Sequence, residues 1–405
     1  MRLVAFLWVA FALNYVDRQM VFSMFPALQS DLGFAGARLG LIGTVFLWVY
    51  TLGMPIAGRM ADLWRRDLMI VASLVAWSLA TLGCGLAGSQ TTFLFWRGVM
   101  GITESLYFPT ALAMIASHYP EAVRSRALGI HQSAQLCGVI AGGWYGGWAA
   151  DNVGWRQAFW MAALVGIGYS GILWLGVRGL GMSGLSAGRM EPKKGELGAL
   201  FRSRCYVVLS LTFAAFCAMQ WVFFAWFPTF LQERFGLSMT SSGWNGTLFV
   251  QSSTIVGILG GGAIADLLRK RWPAARFYVA ASGVLLCAPF AYLTFSADTL
   301  TMARICSAGF GLFGGLLAAN AFSAAYELVG DSNRGVAGGV LNGIGGIASG
   351  AIIYLAGVWK LTIGFERMMI WMMAVAILCA VALLLITWIW FDRERLPRMA
   401  LRNAV

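Results

Sequence analysis

The sequence predicts an all-α membrane protein with twelve transmembrane helices in two pseudo-symmetric six-helix bundles. Three observations predict it. The 405 residues are 59% hydrophobic and 11% charged, with a mean hydropathy of +0.73, too apolar for a soluble domain of this length. Apolar runs of about 20 residues, each long enough to cross a ~30 Å hydrocarbon core as a helix, recur between polar breaks. A residue pattern that closes the second run returns at the close of the eighth, so the second half repeats the first.

The first run covers 3–25. Its start, Met1-Arg2-Leu3, mimics a signal peptide, but the run is too long, carries Asp17 and Arg18 and lacks a small-residue cleavage site, so it is read as helix 1. Five more runs follow at 37–60, 68–88, 91–117, 125–150 and 156–178. After the polar stretch 179–203 come 204–232, 240–266, 275–296, 299–328, 334–358 and 366–391. The expected domains are therefore an N-terminal bundle (1–178), a cytoplasmic linker (179–203) and a C-terminal bundle with a short cytoplasmic tail (204–405).

Loop charge orients the chain. With loops assigned alternately, one side collects most of the arginines and lysines, from Arg59, Arg65 and Arg66 through the linker's Arg189, Lys193 and Lys194. The other side has only Arg38, Arg156, Arg234, Lys360 and Arg367. The positive-inside rule makes both termini and the linker cytoplasmic, in a multi-pass protein of the cell's inner (plasma) membrane. The net charge of +12 is then a topology signal rather than a nucleic-acid surface. The bilayer is the expected macromolecular environment, and the chain is expected to be a monomer. The cysteines Cys84, Cys137, Cys205, Cys217, Cys287, Cys306 and Cys379 stand singly in apolar segments without paired ligand spacing, which predicts neither metal nor disulfide.

The repeat is Gly58-Arg59-Met60-Ala61-Asp62-Leu63-Trp64-Arg65-Arg66 against Gly262-Ala263-Ile264-Ala265-Asp266-Leu267-Leu268-Arg269-Lys270. A second pair is Glu121-Ala122-Val123-Arg124 before helix 5 and Asp331-Ser332-Asn333-Arg334 before helix 11. The glycine permits close helix approach, and the aspartate can pair with arginines or accept from a neighbouring helix N-terminus. Asp62, Arg65, Arg66, Asp266, Arg269, Arg124 and Arg334 are accordingly the expected gating cluster. The pattern resembles the loop signature of the major facilitator superfamily, whose parallel six-helix halves hold substrate near the membrane midplane.

More local motifs resemble the anion:cation symporter family within it: Asn14-Tyr15-Val16-Asp17-Arg18, Phe46-Leu47-Trp48-Val49-Tyr50, Arg97 through Glu104 followed by Phe108-Pro109, Gly154-Trp155-Arg156, Trp226-Phe227-Pro228-Thr229, and Arg334-Gly335 with Asn342. The resemblance implies movement of organic anions such as sugar acids, commonly with protons. Spinster-like lipid carriers share the Asn-Tyr-Val-Asp-Arg element and the Arg-to-Glu pattern of helix 4.

Charges inside membrane-length runs are costly and mark an ion or substrate path. Arg18 offers a planar cationic fork suited to a carboxylate, and the resemblance implies that this arginine binds substrate. Tyr15 and Tyr50 can donate to the same anion, and Gln135 matches a polar binding position of the family. Asp17 and Glu104 are the candidate proton-coupling groups. Arg97 lies two turns from Glu104, roughly 10 Å along one helix face, and is expected to reach Asp17 across the helix interface. A permanent ion pair joining helices 1 and 4 is the structural alternative. His131, four residues before Gln135, either touches substrate or is a hydrogen-bonded structural residue; His118 is incidental. Trp221, Asn320 and Asn342 are the second half's candidates, Asn342 by its match to the family. Trp48 also is placed to line the cavity, and Arg304 lies either at the outer mouth or in the cavity. The glycines of helices 5 and 11, including Gly138, Gly142, Gly146, Gly338, Gly343 and Gly346, are expected at close helix contacts.

These readings favour a secondary active transporter that moves an organic anion, a sugar acid or small carboxylate, with protons by rocker-switch alternating access. The alternative is a spinster-like lipid or amphipathic drug exporter on the same fold. The sequence has no phosphate-binding glycine loop, metal-ligand cluster or nucleophile arrangement, so no enzyme and no cofactor beyond the coupling protons is expected.

Overall fold

The structure, a computed structural model, describes residues 1–180, 196–329 and 333–402. Most of the expected linker, with Arg189, Lys193 and Lys194, and Asp331-Ser332 of the repeat, lie outside the described residues. Those residues form helices without a strand: α1 (Arg2–Ser23), α2 (Phe25–Leu32), α3 (Ala37–Leu63), α4 (Arg66–Gly85), α5 (Gln90–Ser105), α6 (Tyr107–His118), α7 (Glu121–Asn152) and α8 (Trp155–Gly179), followed by α9 (Glu196–Arg202), α10 (Arg204–Phe235), α11 (Met239–Arg269), α12 (Ala275–Phe295), α13 (Leu300–Glu327), α14 (Arg334–Thr362) and α15 (Gly364–Arg402).

Among the described residues ten helical spans are long and apolar enough to cross a membrane, which is consistent with twelve. The first and fifth expected helices, α1 and α7, are not among them. In α1 the run Asn14 to Gln19 holds two charges and two amides, which lowers the mean hydropathy. Such a helix is tolerated where protein, rather than lipid, surrounds it, and Asn14, Asp17, Arg18 and Gln19 are all buried.

The expected fourth helix, 91–117, is two helices that break at Leu106. Pro109 explains the break. It lacks an N–H, and its ring crowds the carbonyl of Ser105 four residues back, whose hydroxyl turns to donate to the Ile102 carbonyl at 2.7 Å. Glu104 is thereby left on the last turn of α5.

The chain divides into two compact units. The first gathers Met1–Glu191, Phe224–Thr247 and Ile353–Val358; the second gathers Pro192–Phe223, Leu248–Ile352 and Trp359–Val405. In the first, Leu3, Leu7 and Phe11 of α1 form a core with Trp77 of α4 and Tyr107 of α6. A glycine every fourth residue along α7 brings the α1 backbone close. A Cβ at Gly138 would lie 2.6 Å from the Ala12 carbonyl oxygen, at Gly142 2.8 Å from that of Val16, and at Gly146 2.2 Å from that of Met20. These positions do serve close packing. In the second unit Gly338 does so against Tyr326, but a Cβ at Gly343 would meet open space, so that part of the expectation is corrected.

Candidate functional site

Helix α1 carries Tyr15, Asp17 and Arg18 into a buried cluster inside the first unit, with Phe46 and Tyr50 of α3, Trp77 and Thr81 of α4, and Arg97 and Glu104 of α5. Arg18 Nε donates to Glu104 Oε2 at 2.6 Å, with both side chains buried. Aromatic rings surround the guanidinium: its carbon lies 4.8 Å from the Tyr15 centroid, 5.1 Å from Phe46 and 4.2 Å from Tyr50. Their π faces attract a cation most when water is excluded. Phe46 and Tyr50, one turn apart on α3, stack at 5.9 Å and so present a continuous aromatic wall.

Arg97 is fully buried. It donates Nε to the Ile42 carbonyl at 3.3 Å and Nη1 to Met100 Sδ at 3.1 Å, and its guanidinium carbon lies 4.7 Å from Phe46. One aromatic ring thus serves both arginines. The expected approach of Arg97 to Asp17 does not occur as an ion pair. Gly101 lets α5 press on α3, where a Cβ would fall 2.7 Å from the Phe46 carbonyl oxygen, and one turn earlier on α5 the Arg97 head meets the Ile42 carbonyl of α3. Asp17 stands beside Thr81 and Trp77, and Glu104 beside Asn14.

The cluster holds more polar atoms than its protein contacts satisfy in good geometry. Arg97 Nη2 is buried without a protein hydrogen-bond partner, and Glu104 Oε1, both amide atoms of Asn14, Trp77 Nε1 and Thr81 Oγ1 are buried with no partner in good hydrogen-bond geometry, although Asn14 lies beside Glu104 and Trp77 and Thr81 lie beside Asp17. Each such atom costs roughly 1–3 kcal/mol if left dry. A convergence of them from three helices is therefore suited to water or a polar guest.

The remaining candidates are dispersed. His131 packs at 4.6 Å on Phe11 and approaches the Tyr107 hydroxyl at 3.3 Å, while that hydroxyl donates to the Leu7 carbonyl at 2.6 Å. Gln135 is half-buried one turn further along α7. In the second unit Trp221 is half-buried on α10 and Asn342 exposed on α14. Asn320 is buried and donates its Nδ2 to the carbonyls of Gly261 and Leu316 at 3.1 and 2.9 Å. Arg304 lies over Phe249 at 5.6 Å, and His118 meets Tyr119 edge-on at 4.9 Å. Trp48 is exposed.

At the repeated motif Asp62 pairs with Arg66 at 3.8 Å and Arg65 with Asp67 at 2.7 Å. Nearby, Arg124 Nε donates to the Tyr119 carbonyl at 3.4 Å. In the second unit Asp266 pairs with Arg276 at 3.2 Å, while Glu327 takes both Arg269 at 3.2 Å and Arg276 at 3.4 Å. Arg334 is exposed at the start of α14. The motif glycines, Gly58 and Gly262, face open space, so their expected role in close helix approach is corrected. Glu327 escaped the sequence reading, although it is the one acid in the tenth apolar run, and Arg276 was counted there only as a cytoplasmic loop charge.

A family model described as Major Facilitator Superfamily matches residues 7–353. The chain belongs to that superfamily. It is a multi-pass membrane transporter, not an enzyme; its relatives include proteins named as transporters of sugar acids and other organic anions as well as spinster homologs and a multidrug transporter. It is 25% identical to a D-galactonate transporter of Escherichia coli O6:H1 over 94% of both chains. It is 28% identical to a probable sulfoacetate transporter of Cupriavidus necator, over 83% of this chain and 82% of the other. A crystal structure of a bacterial homolog to the human lysosomal transporter Spinster, inward-facing and occupied, matches with a TM-score of 0.80 at 20% identity, over 97% of each chain. At that identity the likeness speaks for the fold alone.

Proposed function

We propose that this transporter moves an organic anion, a sugar acid or small carboxylate, in symport with protons by rocker-switch alternating access. The observation that carries the reading is the Arg18–Glu104 pair inside an aromatic cage. A guanidinium bound to a titratable carboxylate can exchange that partner for a substrate carboxylate without a change in net charge. A proton arriving on Glu104 neutralises it and releases Arg18. The substrate anion then takes the guanidinium fork, with Tyr15 and Tyr50 as hydroxyl donors. Loss of the proton to the cytoplasm restores the pair and expels the anion.

Asp17 and Glu104 are the proposed proton carriers, with Arg97 as a second cationic anchor for the guest. Gln135, His131, Trp221, Asn320 and Asn342 complete the proposed substrate set. Asp62, Arg65, Arg66, Arg124, Asp266, Arg269 and Arg334 form the proposed cytoplasmic latch. We place both termini in the cytoplasm, the chain as a monomer in the inner membrane, and protons as the coupling ion with no other cofactor.

The test is uptake of hexonates, hexuronates and small dicarboxylates by proteoliposomes, with and without an imposed pH gradient. Accumulation of at least one above equilibrium only when the gradient is present is expected. Uptake of none, or accumulation indifferent to the gradient, would sink the proposal.

A further inference from the structure

Two arginines of the second unit share one indole, where the start of α10 meets the end of α15. The guanidinium carbon of Arg204 lies 3.9 Å from the Trp390 ring centroid and that of Arg393 5.0 Å from it. Both arginines are exposed, and Trp390 is half-buried. A ring's π face attracts a cation, but it supplies no oxygen for the N–H donors of the fork. Among the described residues neither guanidinium is ion-paired.

The neighbouring acids are turned elsewhere. Glu394 caps α10: its carboxylate accepts from the Ser203 hydroxyl and from the backbone N–H groups of Arg204 and Cys205, the last two at 2.8 and 3.3 Å. Asp392, two residues from Trp390, leaves a different side of the helix and stands near Tyr278 of α12. The surface beside the cluster is apolar. Leu378, Leu385 and Ile389 follow one another at spacings of two turns and one turn along α15, and they are 70%, 54% and 45% exposed. On a membrane-spanning helix such a row faces hydrocarbon, and a tryptophan beyond it marks the interface.

We propose that the Arg204–Trp390–Arg393 cluster binds the phosphate of an anionic phospholipid whose acyl chains lie along Leu378, Leu385 and Ile389. Guanidinium forks match phosphate oxygens, and basic pockets between helix ends at a membrane surface select anionic headgroups. A phospholipid meets both the cations and the apolar row, whereas a free anion meets the cations alone. Helix α8, which ends the first half as α15 ends the second, carries Arg178 4.7 Å over Trp174. That ring holds one guanidinium, so it serves as the internal control. Under the topology proposed above the lipid belongs to the cytoplasmic leaflet, but its binding in micelles depends neither on that topology nor on the anion carried.

Phosphatidylglycerol is the probe, titrated into the purified full-length chain in a neutral detergent. Native mass spectrometry counts the lipid retained, with thermal unfolding as a second readout. Saturable retention that raises the unfolding midpoint is expected, and phosphatidylcholine with the same chains should be held far more weakly. Arg204→Ala and Arg393→Ala should each weaken phosphatidylglycerol about fivefold, and the double variant by more than about tenfold, while Arg178→Ala leaves it unchanged. Both arginines are exposed, so the single variants decide should the double one fail to fold. Equal retention of phosphatidylcholine, indifference to both single variants, or an equal loss in Arg178→Ala would each overturn the proposal. So would displacement of the lipid by inorganic phosphate at equal concentration, which would make the site one for a free anion.

Discussion

Arg18 and Glu104 meet through the guanidinium Nε at 2.6 Å while the same guanidinium lies over Tyr50 at 4.2 Å. The carboxylate and the ring use different parts of one cation, so a carboxylate guest can replace Glu104 without displacing the aromatic support. Arg18→Lys keeps the charge but loses the planar fork, and should weaken the apparent affinity for the anion about 10- to 100-fold, the value of one or two charge-assisted hydrogen bonds. Arg18→Ala should abolish uptake. Initial rates over a substrate series in proteoliposomes measure both. Undiminished affinity in Arg18→Lys would remove the guanidinium from the binding role.

Glu104→Gln imitates the protonated carboxyl. It should retain anion exchange between the two sides of the vesicle, with weakened dependence on pH, and lose accumulation driven by a pH gradient. Counterflow of labelled against unlabelled substrate measures the first, and gradient-driven uptake the second. Asp17→Asn should behave alike if Asp17 shares the proton. Full gradient-driven accumulation by Asp17→Asn would leave Glu104 as the sole carrier of the proton.

That these charges lie inside the protein was legible in the sequence, because charges in apolar runs are rare and expensive. Asp17, Arg18, Arg97 and Glu104 are all buried, Arg18 and Glu104 as a pair. What the sequence did not reveal is which acid meets which base. That depends on how α5 packs on α3, where Gly101 permits close approach and Arg97 donates to the Ile42 carbonyl. Helix periodicity carries no information on the approach of two different helices. For the same reason the break at Leu106 passed unseen within a continuous apolar run, although Pro109 was its one visible sign. Glu327 escaped because it lies outside the repeated motif, and only the packing of α13 brings it to Arg269 and Arg276.

Gly146 tests the close packing of α1 on α7. A methyl group there would lie 2.2 Å from the Met20 carbonyl oxygen, and backbone cannot rotate aside as a side chain can. Gly146→Ala must push α1 away, two residues from Arg18. Overpacking of this kind costs about 1–3 kcal/mol, so the unfolding midpoint in detergent should fall by several degrees and transport should drop with it. Gly343→Ala is the control, because its Cβ meets open space and alanine is the better helix former by up to about 1 kcal/mol. An unfolding midpoint as high in Gly146→Ala as in Gly343→Ala would show that the α1–α7 contact has room to spare.

Asp31, at the end of α2, ties that helix to α8. It pairs with Arg156 and accepts from Trp155 Nε1 at 2.9 Å. The Arg156 guanidinium and then the Trp155 N–H hold the Asp31 carboxyl below its usual range. A carboxyl whose value is lower in the folded chain than in the unfolded one, about 3.9, stabilises the fold above that pH, and the gain fades as pH falls through the folded value. Asp31→Asn removes this dependence while keeping an acceptor for Trp155. The difference in unfolding midpoint between the native chain and Asp31→Asn should therefore be steady from pH 7 to about 5 and shrink toward zero below about pH 4. A difference that stays constant down to pH 3 would mean that the carboxylate's charge contributes nothing and that the tie rests on the Trp155 hydrogen bond and on the packing of Arg156 over the Trp155 ring, 4.2 Å away.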